Sequence, residues 1–193
     1  MSGNDLNSSI GQVSADGQFR WDGQQWVPIA SGSREATPWT RPMQLATAAL
    51  FATSTVVSVI STFVFVNRDS MLQAIQAQGT SIPQGTSVDT VVNIAIGVTI
   101  GTVIFIGLLY VVAAVGSYLG WRWMFWAALV LAGFGGLGAL TNLGNLAHPA
   151  NSPVPVAGIL LDELFGIADL ALFVWLLLGV IKFGPWAMKR PGR

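Results

Sequence analysis

Apolar residues along this chain gather into four long runs, with neither the strict alternation of strands nor the one-sided stripes of surface helices. The runs cover 43–66, 91–119, 123–146 and 156–183. A helix crossing hydrocarbon needs about 20 mostly apolar residues, because roughly 30 Å is traversed at about 1.5 Å per residue. Each run meets that length and predicts a membrane-spanning helix. Asn67-Arg68-Asp69 closes the first run, Gly120-Trp121-Arg122 joins the second to the third as a tight antiparallel turn, and a proline-rich stretch at 148–155 precedes the fourth. In the loop between the first two runs, Ser70 is placed to cap a short helix over 71–78.

Ahead of the runs, residues 1–42 are rich in Gly, Ser, Asn and Gln and poor in aliphatic side chains, a composition that predicts a mostly disordered arm. One segment departs from it. Over 18–29, Asp22-Gly23 sits between two aromatic-bearing extended stretches, which predicts a β-hairpin. A two-residue Asp22-Gly23 loop sets Phe19 opposite Trp26 and Trp21 diagonal to it, all on one face. Such a hairpin is marginal alone in water, so Phe19, Trp21 and Trp26 are candidate partner-binding residues.

Composition agrees with the pattern. Charged residues make up 9% of the chain against 52% hydrophobic, too few to cover a soluble surface. The formal net charge of zero gives no basic field for nucleic acid, and without cysteine there are no disulfides or thiolate metal sites. A polar start with no basic region does not read as a cleaved signal peptide. Charge placement also assigns orientation. Arg20, Arg34, Arg41, Arg122, Lys182, Lys189, Arg190 and Arg193 fall on one side of a four-span chain and Arg68 alone on the other, which predicts that both termini are cytoplasmic. Trp39, Trp121, Trp123, Trp126 and Trp186 collect at the same boundary, as interfacial anchors do.

The expected architecture is an all-α integral membrane protein: a four-transmembrane-helix bundle over 43–193, termini inside, with a cytoplasmic arm over 1–42 carrying the hairpin. Trp21-Asp22-Gly23-Gln24-Gln25-Trp26 resembles a short Trp-Asp-Gly-x-x-Trp segment near the N-termini of many actinobacterial membrane proteins, and Phe183-Gly184-Pro185-Trp186-Ala187-Met188 looks like the ending of four-helix proteins in that group. The resemblance implies a bacterial plasma membrane and no activity.

Ionisable residues inside a span are expensive and mark functional sites by default. The fourth run carries Asp162, Glu163 and Asp169, with Asp162, Gly166 and Asp169 at i, i+4 and i+7 on one face. A start at Val156 places Asp169 near the midplane, and a start at Leu164 places it close to the surface. In the third run Thr141, Asn145 and His148 repeat that spacing toward the same end, so Asn145 and His148 are expected to approach Asp162 and Glu163 in an outer polar cluster. Thr47, Ser54, Ser58 and Ser61 form a hydroxyl stripe on the first helix, and Ser54, Ser58, Ser61, Thr99 and Thr102 are the candidate hydrogen-bond partners of Asp169. Gly97-x-x-x-Gly101 and Gly116-x-x-x-Gly120 in the second run, and Gly133, Gly135, Gly136 and Gly138 in the third, predict close helix contact, within the chain or in a homo-oligomer.

No nucleophile with a paired base, phosphate loop, metal-ligand cluster or cofactor motif is present, so the sequence predicts a non-enzymatic protein without a cofactor. The preferred expectation is an accessory or scaffold protein that contacts the bilayer and another membrane protein, or a second copy of itself, through its hairpin or glycine-rich faces. The alternative is a small transporter or proton-coupled carrier using Asp169 and the outer polar cluster. A water-accessible cavity beside Asp169 favours the carrier, and a dry helix contact favours the scaffold.

Overall fold

The computed structural model describes residues 10–16, 18–28, 34–79, 85–148, 152 and 154–190. Four long helices dominate: α1 (Thr40–Phe65), α3 (Val88–Tyr118), α4 (Arg122–Ala147) and α5 (Val156–Lys182), with a short α2 (Arg68–Ala77) between the first two. All of α1, α3 and α5, and α4 over Arg122–Gly144, are long and apolar enough to cross a bilayer, making this a multi-pass membrane protein. Helix starts follow local capping chemistry. Ser87 accepts the Thr90 N–H to begin α3. Asn67 accepts the N–H groups of Asp69 and Ser70, while Ser70 Oγ accepts the Asn67 N–H, a reciprocal box that starts α2 ahead of the expected 71–78 and makes Asn67 the cap in place of Ser70.

The helices pack as two pairs, α1 with α3 and α4 with α5, joined by smaller contacts between α1 and α5 and between α3 and α4. Missing side chains make the α4–α5 contact close. A Cβ on Gly133 would lie 3.2 Å from Phe173, one on Gly136 3.0 Å from Leu170, and one on Gly166 2.5 Å from Ala139. Gly97 and Gly101 behave differently from the expected packing motif, since a Cβ on either meets nothing within 4 Å. That part of α3 faces outward.

Tight packing is concentrated at the end of the bundle where α1 begins, α5 ends and the α3–α4 turn lies, the terminal face. Met43, Phe51, Ala113, Ala114, Met124, Phe125, Ala128, Ala132, Leu172 and Leu176 form the buried cluster, with Trp186 and Ala187 completing it. Trp186 is therefore not the interfacial anchor expected from its position. It is fully buried, edge-on to Phe125 at 5.3 Å, and its Nε1 donates to Trp121 O at 2.9 Å. To reach that pocket the chain turns sharply after α5, with Gly184 at φ 109° and both Trp186 (φ 56°) and Ala187 (φ 51°) in the left-handed region. Left-handed non-glycine residues cost on the order of 1–2 kcal/mol each, and burial of an indole outweighs this.

The segment before α1 is bound to the segment after α5. Strands β3 (Glu35–Ala36) and β4 (Met188–Lys189) pair antiparallel, and Thr37 and Thr40 hydroxyls both donate to Ala187 O. Arg34 donates to Met188 O at 3.2 Å. The two ends of the membrane domain are thus clasped together.

The arm carries the expected hairpin, β1 (Phe19–Trp21) and β2 (Trp26–Pro28), in a different register. Trp21 pairs with Trp26 and Phe19 with Pro28, across a four-residue loop. The reason is Asp22, whose carboxylate accepts the N–H groups of both Gln24 and Gln25 at 2.8 Å and widens the turn. A shift of two residues preserves faces, so Phe19, Trp21 and Trp26 remain on one side. Within the described residues, a further segment of the arm joins the hairpin. Gly11 N–H donates to Trp21 O and Trp21 N–H to Gln12 O, both at 2.8 Å, laying 11–14 along β1 as a third extended segment.

Candidate functional site

Helices α1, α3 and α5 line a partly open cavity of about 250 Å³ in the membrane region. Ser54, Thr55 and Ser58 of α1, Thr102 and Tyr110 of α3, and Asp162 and Asp169 of α5 supply its polar wall. The cavity is far larger than a single water requires. It starts where the buried cluster of the terminal face ends and extends along α5 from Asp169 toward Asp162, a distance of about 10 Å at 1.5 Å per residue.

Asp169 occupies the centre of this arrangement. Because α5 begins at Val156 and ends at Lys182, Asp169 is thirteen residues from each end and lies about 20 Å from either, near the bilayer midplane. It is 4% exposed, and its Oδ1 is buried without a hydrogen-bond partner. Its Oδ2 occupies the space where a Cβ would stand on Gly135 of α4. The carboxylate is therefore pressed against a glycine on one side and borders the cavity on the other.

The hydroxyls beside it divide into two groups. Ser54 Oγ donates to Leu50 O at 2.5 Å and Thr55 Oγ1 to Phe51 O at 2.8 Å, in each case back to their own helix, and both oxygens retain lone pairs. Ser58 and Thr102 hydroxyls are not engaged by another described residue, which leaves them able to accept a cation or donate to a carboxylate. Ser61 and Thr99, expected as partners of Asp169, do not line the cavity, and Thr99 Oγ1 donates to Ala95 O at 2.9 Å.

The outer cluster expected from spacing is only partly assembled. Asp162 is exposed and lines the cavity at the end away from the terminal face. Glu163 does not line it, and its Oε2 is buried without a hydrogen bond. His148 caps the end of α4 through its backbone N–H to Gly144 O and is exposed, with no described hydrogen bond or ion pair to Asp162 or Glu163. Asn145 lies on α4, but its side chain, like that of Thr141, falls outside the described residues. Among the described residues no group of three His, Cys, Asp or Glu side chains converges in the manner of a metal centre. Tyr110, which spacing did not single out, contributes a ring stacked obliquely on Phe51 at 4.8 Å and lines the cavity.

On the arm, Trp21 and Trp26 stand in tilted contact with ring centroids 5.6 Å apart. Trp26 is 45% exposed and Phe19 half-buried. Arg20, on the opposite side of β1, forms an ion pair with Glu35 and ties the hairpin to the clasp.

No protein-family model matches the chain, and no curated protein or solved structure resembles it significantly.

Proposed function

We propose that the protein is a small, non-enzymatic membrane carrier that exchanges a proton for a small cation at Asp169. The observation that carries this reading is a carboxylate at mid-membrane depth, buried and lacking a hydrogen bond on one oxygen, on the wall of a cavity with several hydroxyls. A bare carboxylate in hydrocarbon is costly, so it is neutralised by a proton or by a bound cation, and a cavity beside it gives both a place to arrive. The polar side chains of the lining all present oxygen, which suits hard, weakly specific cations or an ammonium group, whose hydration shell the Ser58 and Thr102 hydroxyls replace in part. Asp162, exposed two turns away, raises the local concentration of cations at the mouth. The dry cluster around Phe125 and Trp186 closes the opposite end.

Both termini are assigned to the cytoplasm by the excess of Arg and Lys on the terminal face, so the cavity opens from the extracytoplasmic half. A bacterial plasma membrane is the location implied by the Trp-Asp-Gly-x-x-Trp resemblance.

The test is reconstitution of the purified protein in vesicles with a trapped pH dye, followed by inward gradients of sodium, potassium or methylammonium. At least one cation should drive proton efflux, and Asp169→Asn should abolish it without loss of folded protein. Flux that persists in Asp169→Asn, or no proton movement with any of the three, overturns the carrier reading. The accessory-protein reading retains one supporting observation, the exposure of Trp26 beside Trp21. If it holds, Trp21→Ser with Trp26→Ser releases a co-purifying membrane protein while the helical bundle stays folded.

A further inference from the structure

A second cavity, of about 700 Å³, lies on the terminal face where α5 leaves the membrane. Arg34, Lys182, Lys189 and Arg190 supply its charge, and Val180, Ile181 and Phe183 its apolar side. Among the described residues none of these four cations is paired with a carboxylate. Glu35, the acid nearest in sequence to Arg34, is committed to Arg20. Burial and the guanidinium groups of Arg122 and Arg190 press the Arg34 pKa below its usual value, a sign that positive charge accumulates there uncompensated.

Arg34 is held in this cavity by the fold. Its Nη1 donates to Met188 O and occupies the volume that a Cβ on Gly184 would fill, so the left-handed glycine leaves room for the guanidinium. Lys182 ends α5 with its Nζ 5.3 Å from the Trp39 ring centroid. Ile181, 77% exposed, faces where acyl chains run. Cations above and exposed aliphatic surface below match an amphiphile whose anion sits at headgroup depth.

We propose that this cavity binds the phosphate headgroup of an anionic phospholipid, with the acyl chain along Ile181 and the headgroup held by Arg34, Lys189 and Arg190. Guanidinium groups engage phosphate oxygens in pairs, and Lys182 and Lys189 add point charges around them. A free phosphate satisfies the cations but leaves the Ile181 side uncovered, which is why the lipid is the favoured source. Occupancy also braces the clasp, because Arg34 and β4 belong to both. The inference is independent of the Asp169 proposal, which concerns the other half of the bundle.

The test is native mass spectrometry of the full chain in neutral detergent, titrated in separate arms with phosphatidylglycerol, phosphatidylcholine and inorganic phosphate. Phosphatidylglycerol adducts should be retained at least tenfold over phosphatidylcholine. The double variant Lys182→Gln, Arg190→Gln spares the Arg34 to Met188 bond and should weaken phosphatidylglycerol binding roughly thirty-fold, from about fivefold for each charge removed near a membrane surface. Equal retention of the two lipids, or unchanged phosphatidylglycerol binding in the variant, overturns the proposal. Inorganic phosphate binding as tightly as phosphatidylglycerol overturns the assignment to a lipid. Circular dichroism of the variant, matching that of the parent, establishes that lost adducts reflect lost charge, and an unfolded variant is replaced by Arg190→Gln alone, with about a fivefold loss expected and no loss overturning the proposal.

Discussion

Replacing Gly135 by alanine probes whether the Asp169 carboxylate is seated against α4. A methyl at that position would collide with Asp169 Oδ2 and approach Cγ to 2.8 Å and Cβ to 3.1 Å. Retreat is limited on both sides, because Phe173 meets Gly133 one turn along α5 in one direction and Gly166 meets Ala139 about one turn away in the other. Overpacking of this kind costs about 1–3 kcal/mol, and alanine for glycine within a helix returns up to about 1 kcal/mol, so the net change is a loss of zero to about 2 kcal/mol. Gly101→Ala carries only the favourable part, since nothing lies within 4 Å of its Cβ position. The difference between the two variants should be about 1–3 kcal/mol, read from loss of helical circular dichroism as dodecyl sulfate is added to purified protein in neutral micelles. Gly135→Ala should also impair cation-driven proton movement, and Gly101→Ala should not. Equal stability of the two variants within about 0.5 kcal/mol, with full transport in both, refutes the seating of Asp169 on Gly135.

Trp186→Ala should destabilise the bundle by about 3–5 kcal/mol in the same titration, because a fully buried indole leaves a cavity; Trp186→Phe should lose less, about 1 kcal/mol for the Nε1 bond to Trp121 O together with a smaller cavity. Hairpin order should depend on pH through Asp22, whose pKa is lowered by the N–H groups of Gln25 and Gln24. A depressed carboxyl pKa stabilises the folded turn above the ordinary value and loses that contribution as pH falls through the lowered one, so Trp21 and Trp26 indole resonances should shift only at distinctly acidic pH and Asp22→Ala should weaken the turn near neutrality. Single cysteines at Gln24 and Gln76, in a chain without natural cysteine, should differ in intact cells, with an impermeant thiol reagent labelling Gln76→Cys and sparing Gln24→Cys; the reverse pattern inverts the orientation.

The spans were legible because about 20 apolar residues in succession have one common use, and the four helices match the expected runs closely at both ends. The Asp162, Gly166 and Asp169 face was legible for a similar reason, since helical periodicity alone aligns them. What lay across from that face was not. Tyr110 belongs to an apolar run with no polar periodicity to mark it, and His148 and Asp162 share an end of the bundle with no hydrogen bond or ion pair described between them, which sequence spacing cannot distinguish. The clasp also escaped, because β3 and β4 are two residues long and separated by the whole membrane domain. A local clue did exist: Gly184-Pro185 directly after α5 signals a reversal, and a reversal turns the following tryptophan inward. In the hairpin, alternation fixed the faces, but register depended on how many N–H groups the Asp22 carboxylate would accept.

The central claim, proton–cation exchange at Asp169, is tested most directly by proton release from purified protein in weakly buffered detergent solution as cation is added. Because a cation binds the carboxylate in competition with its proton, the account predicts release of about one proton per cation bound and none from Asp169→Asn. Binding without proton release, or equal release from Asp169→Asn, would contradict it.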